Sequence, residues 1–582
     1  MVDFVRKELV KTVRPLALKA GCLRNTLIAD WQRTVKTGGF NAASQANDRL
    51  RKTVNRMKFG SFGLGNTDRN DMKNYCDRMA KTFFEVVPKF PFHMSIDDAA
   101  DVISSAAKLR AHGLEWKRPE CDAEAEVSLY RLYNRLCSPS FWMNKLKRRQ
   151  KRVIEEVARD YGLVNKYRGA YVSDLSLSLR QREARKNQKI LENTLAVNDD
   201  GESYTLAELQ ALSISNPEIR RAELMSRVRG FELMAEQNQH IAVFWTVTCP
   251  SRFHSHSATN GQRNKKHNGE TVRDAQNYLV SMWAAFRSWC DRNGIYFYGF
   301  RVAEPHHDGC PHWHVLVFGD SKDLQKATSE LSARSLREDG AEHGANVNRF
   351  TAEWIRSGET KDGRKLSAAG YIAKYIAKSV DGFSVAGDSS IDENGNRFEM
   401  GQDSESGAAR VVAWARSHGI RQFQQIGGAY VSVWREIRKL HGVCDDDEAA
   451  EIIEAVEEKM SVDAAVAWAV FNFLNGAGDG QRLKLWRDDL RPESHNLTFI
   501  ENRLKENCSP LEFPIEQVEV SRFGQYGPSY LNGYGEVVSK IKGLVLDGSK
   551  KIVTRLREWV LLKKDEMKTL DFAASPRLDL CQ

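Results

Sequence analysis

Polar and apolar positions along the chain follow two periods, and the change between them falls near residue 239. Before it, apolar residues recur at the spacing of a helix that buries one face. In NPEIRRAELMSRVRGFELMAEQ, for example, Pro217 stands at a helix start behind the capping residue Asn216. Residues 1 to about 235 therefore read as mainly helical, without an internal repeat. HIAVFWTVTCP, a β-branched and aromatic run closed by Pro250, then predicts a buried strand, followed by the polar loop SRFHSHSATNGQRNKKHNG. ETVRDAQNYLVSMWAAFRSWCDRNG predicts an amphipathic helix, with Val272, Ala275, Leu279, Met282, Phe286 and Trp289 on the apolar face and Gly294 ending it. IYFYGFRVAE and HWHVLVFGD predict two more strands, and KDLQKATSELSARSLRED a further helix. This order is that of an α+β domain built on an antiparallel sheet.

Composition adds bounds. At 582 residues the chain has room for two to four domains, and 41% hydrophobic with 28% charged residues is ordinary for a soluble globular protein. No apolar run of about 18 residues occurs, and the first residues have no apolar core that suits a signal peptide, so the cytoplasm is the expected compartment. Ten scattered cysteines without a CxxC pair read as reduced thiols. The net charge of +9 is unevenly spread. Residues 142 to 190, with KLKRRQKR (Lys147, Arg148 and Arg149 among them), NKYRGAY and RQREARKNQK, form a basic tract interleaved with tyrosines such as Tyr167 and Tyr171. Such a tract fits a polyanion, or else a solvated helix face. The acidic helical stretch from Cys444 does not suit nucleic acid. These shifts divide the chain into a helical region 1–140, a basic helical region 141–235, an α+β domain 236–440, and an acidic, mixed region 441–582.

The chemistry gathers in EPHHDGCPHWHVLVFG. On a strand, His312 and His314 project to one face and Trp313 to the other, which makes half of a metal site without backbone strain. If the flanking strands pair as a hairpin, the turn brings the Glu304 carboxylate beside them, and two imidazoles with one carboxylate form a known set for a divalent ion. A polar pair at a strand edge is the plainer alternative. His306 and His307 fall in the turn and read as solvent-exposed, or one of them takes the place of Glu304 as ligand. Downstream, SAAGYIAKYIAKSVDG sets Tyr371 and Tyr375 four apart on one helical face, with Lys374 and Lys378 as a second such pair beside them. A phenol can attack phosphorus, but its pKa near 10 means that it needs help, which a metal ion on the phosphate supplies. GETKDGRKLS is only faintly like a phosphate-binding loop, because Arg364 stands where a lysine is required, and it reads as a plain loop.

FWTVTCPSRFH, YGFRVAEPHHDGCPHWHVLVFG and GYIAKYIAK resemble the three ordered motifs of HUH-type rolling-circle initiators. More closely, residues 140 to 440 resemble the replication gene A protein (GPA) family of P2-like tailed phages, with NPEIRRAELMSRVRGFE, RSHGIRQFQQIGG and VWREIRKL extending the likeness. The resemblance implies that His312 and His314 bind Mg²⁺ or Mn²⁺ and that Tyr371 and Tyr375 are nucleophiles, with Glu304 as a third ligand on geometric grounds. One tyrosine would nick the origin and keep the 5′ end as a phosphotyrosine, freeing a 3′ hydroxyl for the host DNA polymerase; the second would reseal a circle after synthesis. A host helicase is implied as a partner, and Arg252, Arg263, Lys265 and Lys266 are candidate DNA contacts in the loop after the first strand. Rival readings are a relaxase or transposase of the same class, a phosphodiesterase that uses water, and a DNA-binding regulator with a structural metal.

Overall fold

The computed structural model describes residues 2–86, 95–198, 200–355, 358–359, 365–380, 390–391, 397–398, 404–440, 446–477, 480–487, 541–555 and 559–564. They form two compact units that divide between Leu163 and Val164. The first unit is helical, with its longest helix, Arg24–Arg56, bent at Gly39, whose φ of 67° lies outside the helical region. The helix Pro139–Asp160 turns Trp142, Leu146, Gln150 and Val153 inward. That spacing leaves Arg148 and Arg149 exposed and Lys147 half-buried.

The second unit carries the α+β architecture. In chain order its main elements are α1 (Asp174–Glu192), α2 (Pro217–Asn238), β1 (Ile241–Thr248), α3 (Val272–Arg292), β2 (Phe297–Pro305), β3 (Pro311–Gly319), α4 (Ser321–Ser335), β4 (Phe350–Ile355), α5 (Ala368–Val380), α6 (Ser404–His418), β5 (Phe423–Ile426), α7 (Asp447–Met460) and α8 (Ala464–Asn475). The strands make one antiparallel sheet in the order β5-β2-β3-β1-β4. Asn216 caps α2, its side chain accepting from the Glu218 amide, and Pro217 opens the first turn.

Both faces of the sheet are covered, which explains why β1 and β3 read as continuous apolar runs. One face sets Val243, Trp245, Val247, Trp313 and Val315 against Ala275, Leu279 and Phe286 of α3 and Leu324 of α4. The other sets Phe244, Phe300, Val302 and Leu316 against Phe231 of α2 and Ile372 and Ile376 of α5. In α3 the inward face runs Val272, Ala275, Leu279, Trp283, Phe286, Cys290. This corrects the expected apolar face: a 3.6-residue period carries the stripe through Trp283 and Cys290, and Met282 and Trp289, one position aside, are only partly buried. Gly294 follows the helix with a φ of 64°, as an αL terminator does.

The basic tract is divided between the units: its first part lies on the helix Pro139–Asp160 in the first unit and the rest, α1 included, in the second. The acidic helix α7 and the apolar helix α8 are built into the core of the second unit: Ile452, Ile453, Val456, Trp468 and Phe471 join the cluster that also holds Ile372 and Ile376. FGQYGPSYLNGYGEVV lies outside the described residues. In GETKDGRKLS, Gly358–Glu359 pairs with Lys365–Leu366, and the residues between them are likewise outside. Among the described residues no helix is long and apolar enough to cross a membrane.

Candidate metal centre and tyrosine helix

The centre begins with register. β3 lies between β2 and β1, and the pairing sets Glu304 opposite His312, Thr246 opposite His314 and Thr248 opposite His312. Residues directly opposite on antiparallel strands share a face. Glu304, His312, His314 and Thr246 therefore converge, while Trp313 turns away, donating its indole N–H to Gln276 at 3.3 Å beneath the Arg301 guanidinium, 3.9 Å from its ring. The imidazole Nε2 atoms of His312 and His314 stand 3.0 Å apart, and a Glu304 oxygen lies 4.0 Å from His314 Nε2. All three side chains are buried, at 1%, 7% and 1% exposure for Glu304, His312 and His314.

This donor set fits a divalent ion. One ligand atom from each residue lies within 4.8 Å of the others. Two ligands about 2.1 Å from one octahedral ion are about 3.0 Å apart, the separation of the two imidazole nitrogens. A carboxylate this deeply buried, in a wall that includes Phe244 and Val302, costs free energy unless charge or hydrogen bonds offset it. Thr246 Oγ1, 3.1 Å from His314 Nδ1, occupies the outer nitrogen and leaves Nε2 facing the carboxylate.

The helix α5 lies over this face because Ala368, Ala369, Ile372, Ile376 and Val380 are buried against the sheet. Tyr371 and Tyr375 flank that stripe, partly buried. Their surroundings differ: the Tyr375 ring stacks on His314, 4.0 Å between centroids, and on Phe244 at 5.5 Å, whereas Tyr371 meets Phe244 at 6.2 Å. Lys374 and Lys378 are helical in backbone, but their side chains lie outside the described residues. At the start of the helix Glu232 of α2 accepts from the Ala368 amide at 2.6 Å and from the Ser367 hydroxyl at 3.0 Å, and pairs with Arg229. A carboxylate here satisfies an otherwise unpaired amide and faces the positive end of the helix dipole.

The turn histidines are not solvent-exposed as expected; both are half-buried. Asp308 folds the turn inward by accepting from the Cys310 amide at 3.1 Å and the Ser255 amide at 2.7 Å, and Gly309 supplies the positive φ, 81°. His306 consequently lies 4.1 Å from His312 and 4.9 Å from His254, ring to ring. Burial alone would depress the His254 imidazole, but Cys310 and Asp308 beside it hold its pKa well above the ordinary range. Of the loop cations, Arg252 is matched by Glu270, Glu338 and Asp339, and Lys266 lies 3.6 Å from Glu342. Arg263 and Lys265 are exposed. Sequence reasoning missed Thr246, Phe244 and Glu232. The alternation of Thr246 and Thr248 in FWTVTCP, in step with the two histidines, was the available signal for the first.

Comparison with known proteins adds ancestry. The chain is 40% identical over 316 residues to the replication protein of Haemophilus phage HP1, covering 54% of this chain and 39% of that one. It is 33% identical over 454 residues to the replication gene A protein of Escherichia phage 186, covering 77% and 58%. It is 39% identical over 309 residues to a probable replication endonuclease from a prophage-like region of Salmonella typhi, covering 53% and 37%. Each match thus spans less than two thirds of the relative's length. No solved structure matches. The model of the bacteriophage replication gene A protein family matches residues 69–383, which is more than half of the chain, and the chain belongs to that family.

Proposed function

We propose that the protein is a metal-dependent single-strand DNA endonuclease and strand transferase, which starts rolling-circle replication of phage DNA at its origin and rejoins the strand at the end. The observation that carries this reading is the stacking of Tyr375 on His314 at 4.0 Å, beside the buried Glu304, His312 and His314 cluster. Bound Mg²⁺ or Mn²⁺, held by those three residues, would polarise the scissile phosphate and offset its charge.

The residues supply the rest. The phenol oxygen of Tyr371 or Tyr375 bonds to phosphorus while the bond from phosphorus to the 3′ oxygen breaks. The phenol gives up its proton and the departing 3′ oxygen takes one on. The phosphodiester energy is kept in the phosphotyrosine, so rejoining needs only the reverse attack by a 3′ hydroxyl. A second phenol on the same helix face lets the regenerated origin be cut before the first link is released. Arg263 and Lys265 in the loop after β1, and Lys147, Arg148 and Arg149 on the first unit, are the phosphate contacts of this reading, with Lys374 and Lys378 flanking the tyrosines. Arg252 is left out, since three carboxylates already match its charge. A host helicase and a host DNA polymerase are the partners required, and the host cytoplasm is the setting.

The test incubates the protein with Mn²⁺ and supercoiled DNA that carries the phage origin. Nicked DNA that stays attached to protein after denaturation is the expected product. Free nicked DNA indicates hydrolysis by water and removes the tyrosines from the mechanism; intact DNA removes the nicking itself.

A further inference from the structure

Beyond the metal ligands, on the side away from the tyrosine helix, the second unit presents a fixed aromatic ring that the reaction does not use. Residues 164 to 172 are strapped to the β2–β3 turn. The Tyr171 amide donates to the His307 carbonyl at 3.1 Å, and the two rings stack at 5.6 Å with 12° between planes. Tyr171 holds a φ of 72°, which a non-glycine residue keeps only where its surroundings impose it. Tyr171 is thus a half-buried strut against the turn.

Its neighbour Tyr167 is placed differently. Asn165 closes a tight turn, its backbone exchanging bonds with Arg168 and its side-chain oxygen accepting from the Tyr167 amide at 2.9 Å. This turn leaves Tyr167 69% exposed. One side of the ring rests on Gly261, where an added Cβ would stand 2.6 Å from Tyr167 Cδ2. The ring is therefore supported by backbone on one side and exposed on the other. Arg168, Arg263 and Lys265 are exposed in the same two loops. The link to the centre is a row of rings: Tyr375 on His314, His314 to His312 at 4.7 Å, His312 to His306 at 4.1 Å, and His306 to His254 at 4.9 Å. Lys166 and Asn165 line one small cavity with His254, His306 and His307.

We propose that Tyr167, with Arg168, Arg263 and Lys265 around it, is a base-stacking platform for single-stranded DNA, and that it holds the strand on the 5′ side of the nick. An open aromatic face among cations suits single strands, because every base has a face to stack and every linkage a phosphate to neutralise. The polarity rests on the nicking reading. Attacking and leaving oxygens are roughly in line at a transferring phosphorus, so a phenol at the His314 end expels the 3′ oxygen toward the His306 end. That strand has no covalent hold on the protein after cleavage. A platform keeps its 3′ hydroxyl near for resealing.

Two measurements test this. With a fluorescein-labelled 20-mer of thymidylate, Tyr167→Ala weakens binding about 5- to 140-fold while Tyr167→Phe stays near the parent, since stacking needs the ring and not the hydroxyl. Replacing Arg263 and Lys265 together by alanine lowers the slope of log affinity against log salt by about 1.4. Binding by Tyr167→Ala within twofold of the parent overturns the platform, whatever nicking shows. With supercoiled origin DNA and Mn²⁺, Tyr167→Ala shifts products from resealed circles to nicked, protein-linked DNA. An unchanged ratio overturns the strand polarity alone. If the parent makes no protein-linked DNA while Tyr167→Ala still loses oligonucleotide affinity, the nicking reading fails and the platform stands.

Discussion

Thr246→Val removes one hydroxyl at nearly constant volume, and its effect follows from how His314 is held. Binding an ion through Nε2 requires the proton on Nδ1, where it donates to Thr246 Oγ1, 3.1 Å away. Without the hydroxyl, the proton is as well placed on Nε2, from which it reaches His312 Nε2 at 3.0 Å and closes the centre to metal. The hydrogen bond contributes about 1 kcal/mol. Loss of an outer partner of a ligating histidine typically weakens metal binding about 10- to 100-fold, or about 1.4 to 2.7 kcal/mol. The low end applies here. Tyr375 at 4.0 Å and Phe244 at 5.5 Å already fix the ring plane, so only the tautomer preference is lost. Titration calorimetry with Mn²⁺ at neutral pH should show about tenfold weaker binding, while the lost hydrogen bond lowers the melting temperature of the metal-free protein by only about 2 °C. Affinity within twofold of the parent would refute the role given to Thr246.

Glu304→Gln keeps the shape of the third ligand and removes its charge. If affinity falls about 100-fold, Mn²⁺ at 100 times the parent Kd stabilises the parent by about 2.7 kcal/mol and the variant by about 0.4 kcal/mol, a difference that thermal unfolding with and without metal reads. Glu232→Ala strips the cap from the tyrosine helix at a cost of about 1 to 2 kcal/mol, so amides of residues 368 to 372 exchange hydrogen roughly 5- to 30-fold faster, and Glu232→Gln recovers part of the protection through its amide oxygen. At Glu436 burial pushes the carboxyl up, but bonds from Lys439, Thr554 and Arg555 outweigh it and hold its pKa below the ordinary range. Its contribution is therefore complete above the unfolded value of about 4.3 and is lost as pH falls through the lower folded value. Chemical unfolding measured from pH 6 down to pH 3 should show Glu436→Gln flattening that loss.

The parts legible in the sequence were those where burial leaves a strong period. β1, β2 and β3 are covered on both faces and read as apolar runs, and the Ile372 and Ile376 stripe of α5 is legible by spacing, whereas α3 was located with its stripe one position off at Met282 and Trp289. The His312, His314 and Glu304 grouping was legible because one hairpin holds all three and strand alternation fixes their faces. The edge strands β4 and β5 were not. Thr351 and Glu353 on one, and Gln424 and Gln425 on the other, dilute the apolar pattern where only one neighbour pairs. Contacts between distant segments were also out of reach: Glu232 meets Ala368 across 136 positions, and Tyr167 meets Gly261 across a loop that the sequence leaves shapeless. The inward fold of His306 depends on Asp308 bonding to Ser255, which no local pattern announces.

The central claim is that a phenol on α5 attacks phosphorus beside the Glu304, His312 and His314 cluster. The most direct measurement is peptide mapping by mass spectrometry of the protein recovered, after denaturation, from Mn²⁺ reactions with supercoiled origin DNA. A nucleotide-linked tryptic peptide carrying Tyr371 or Tyr375, absent when both are replaced by phenylalanine, is the result predicted. Full covalent attachment in the double variant, or attachment through any other residue, would contradict it.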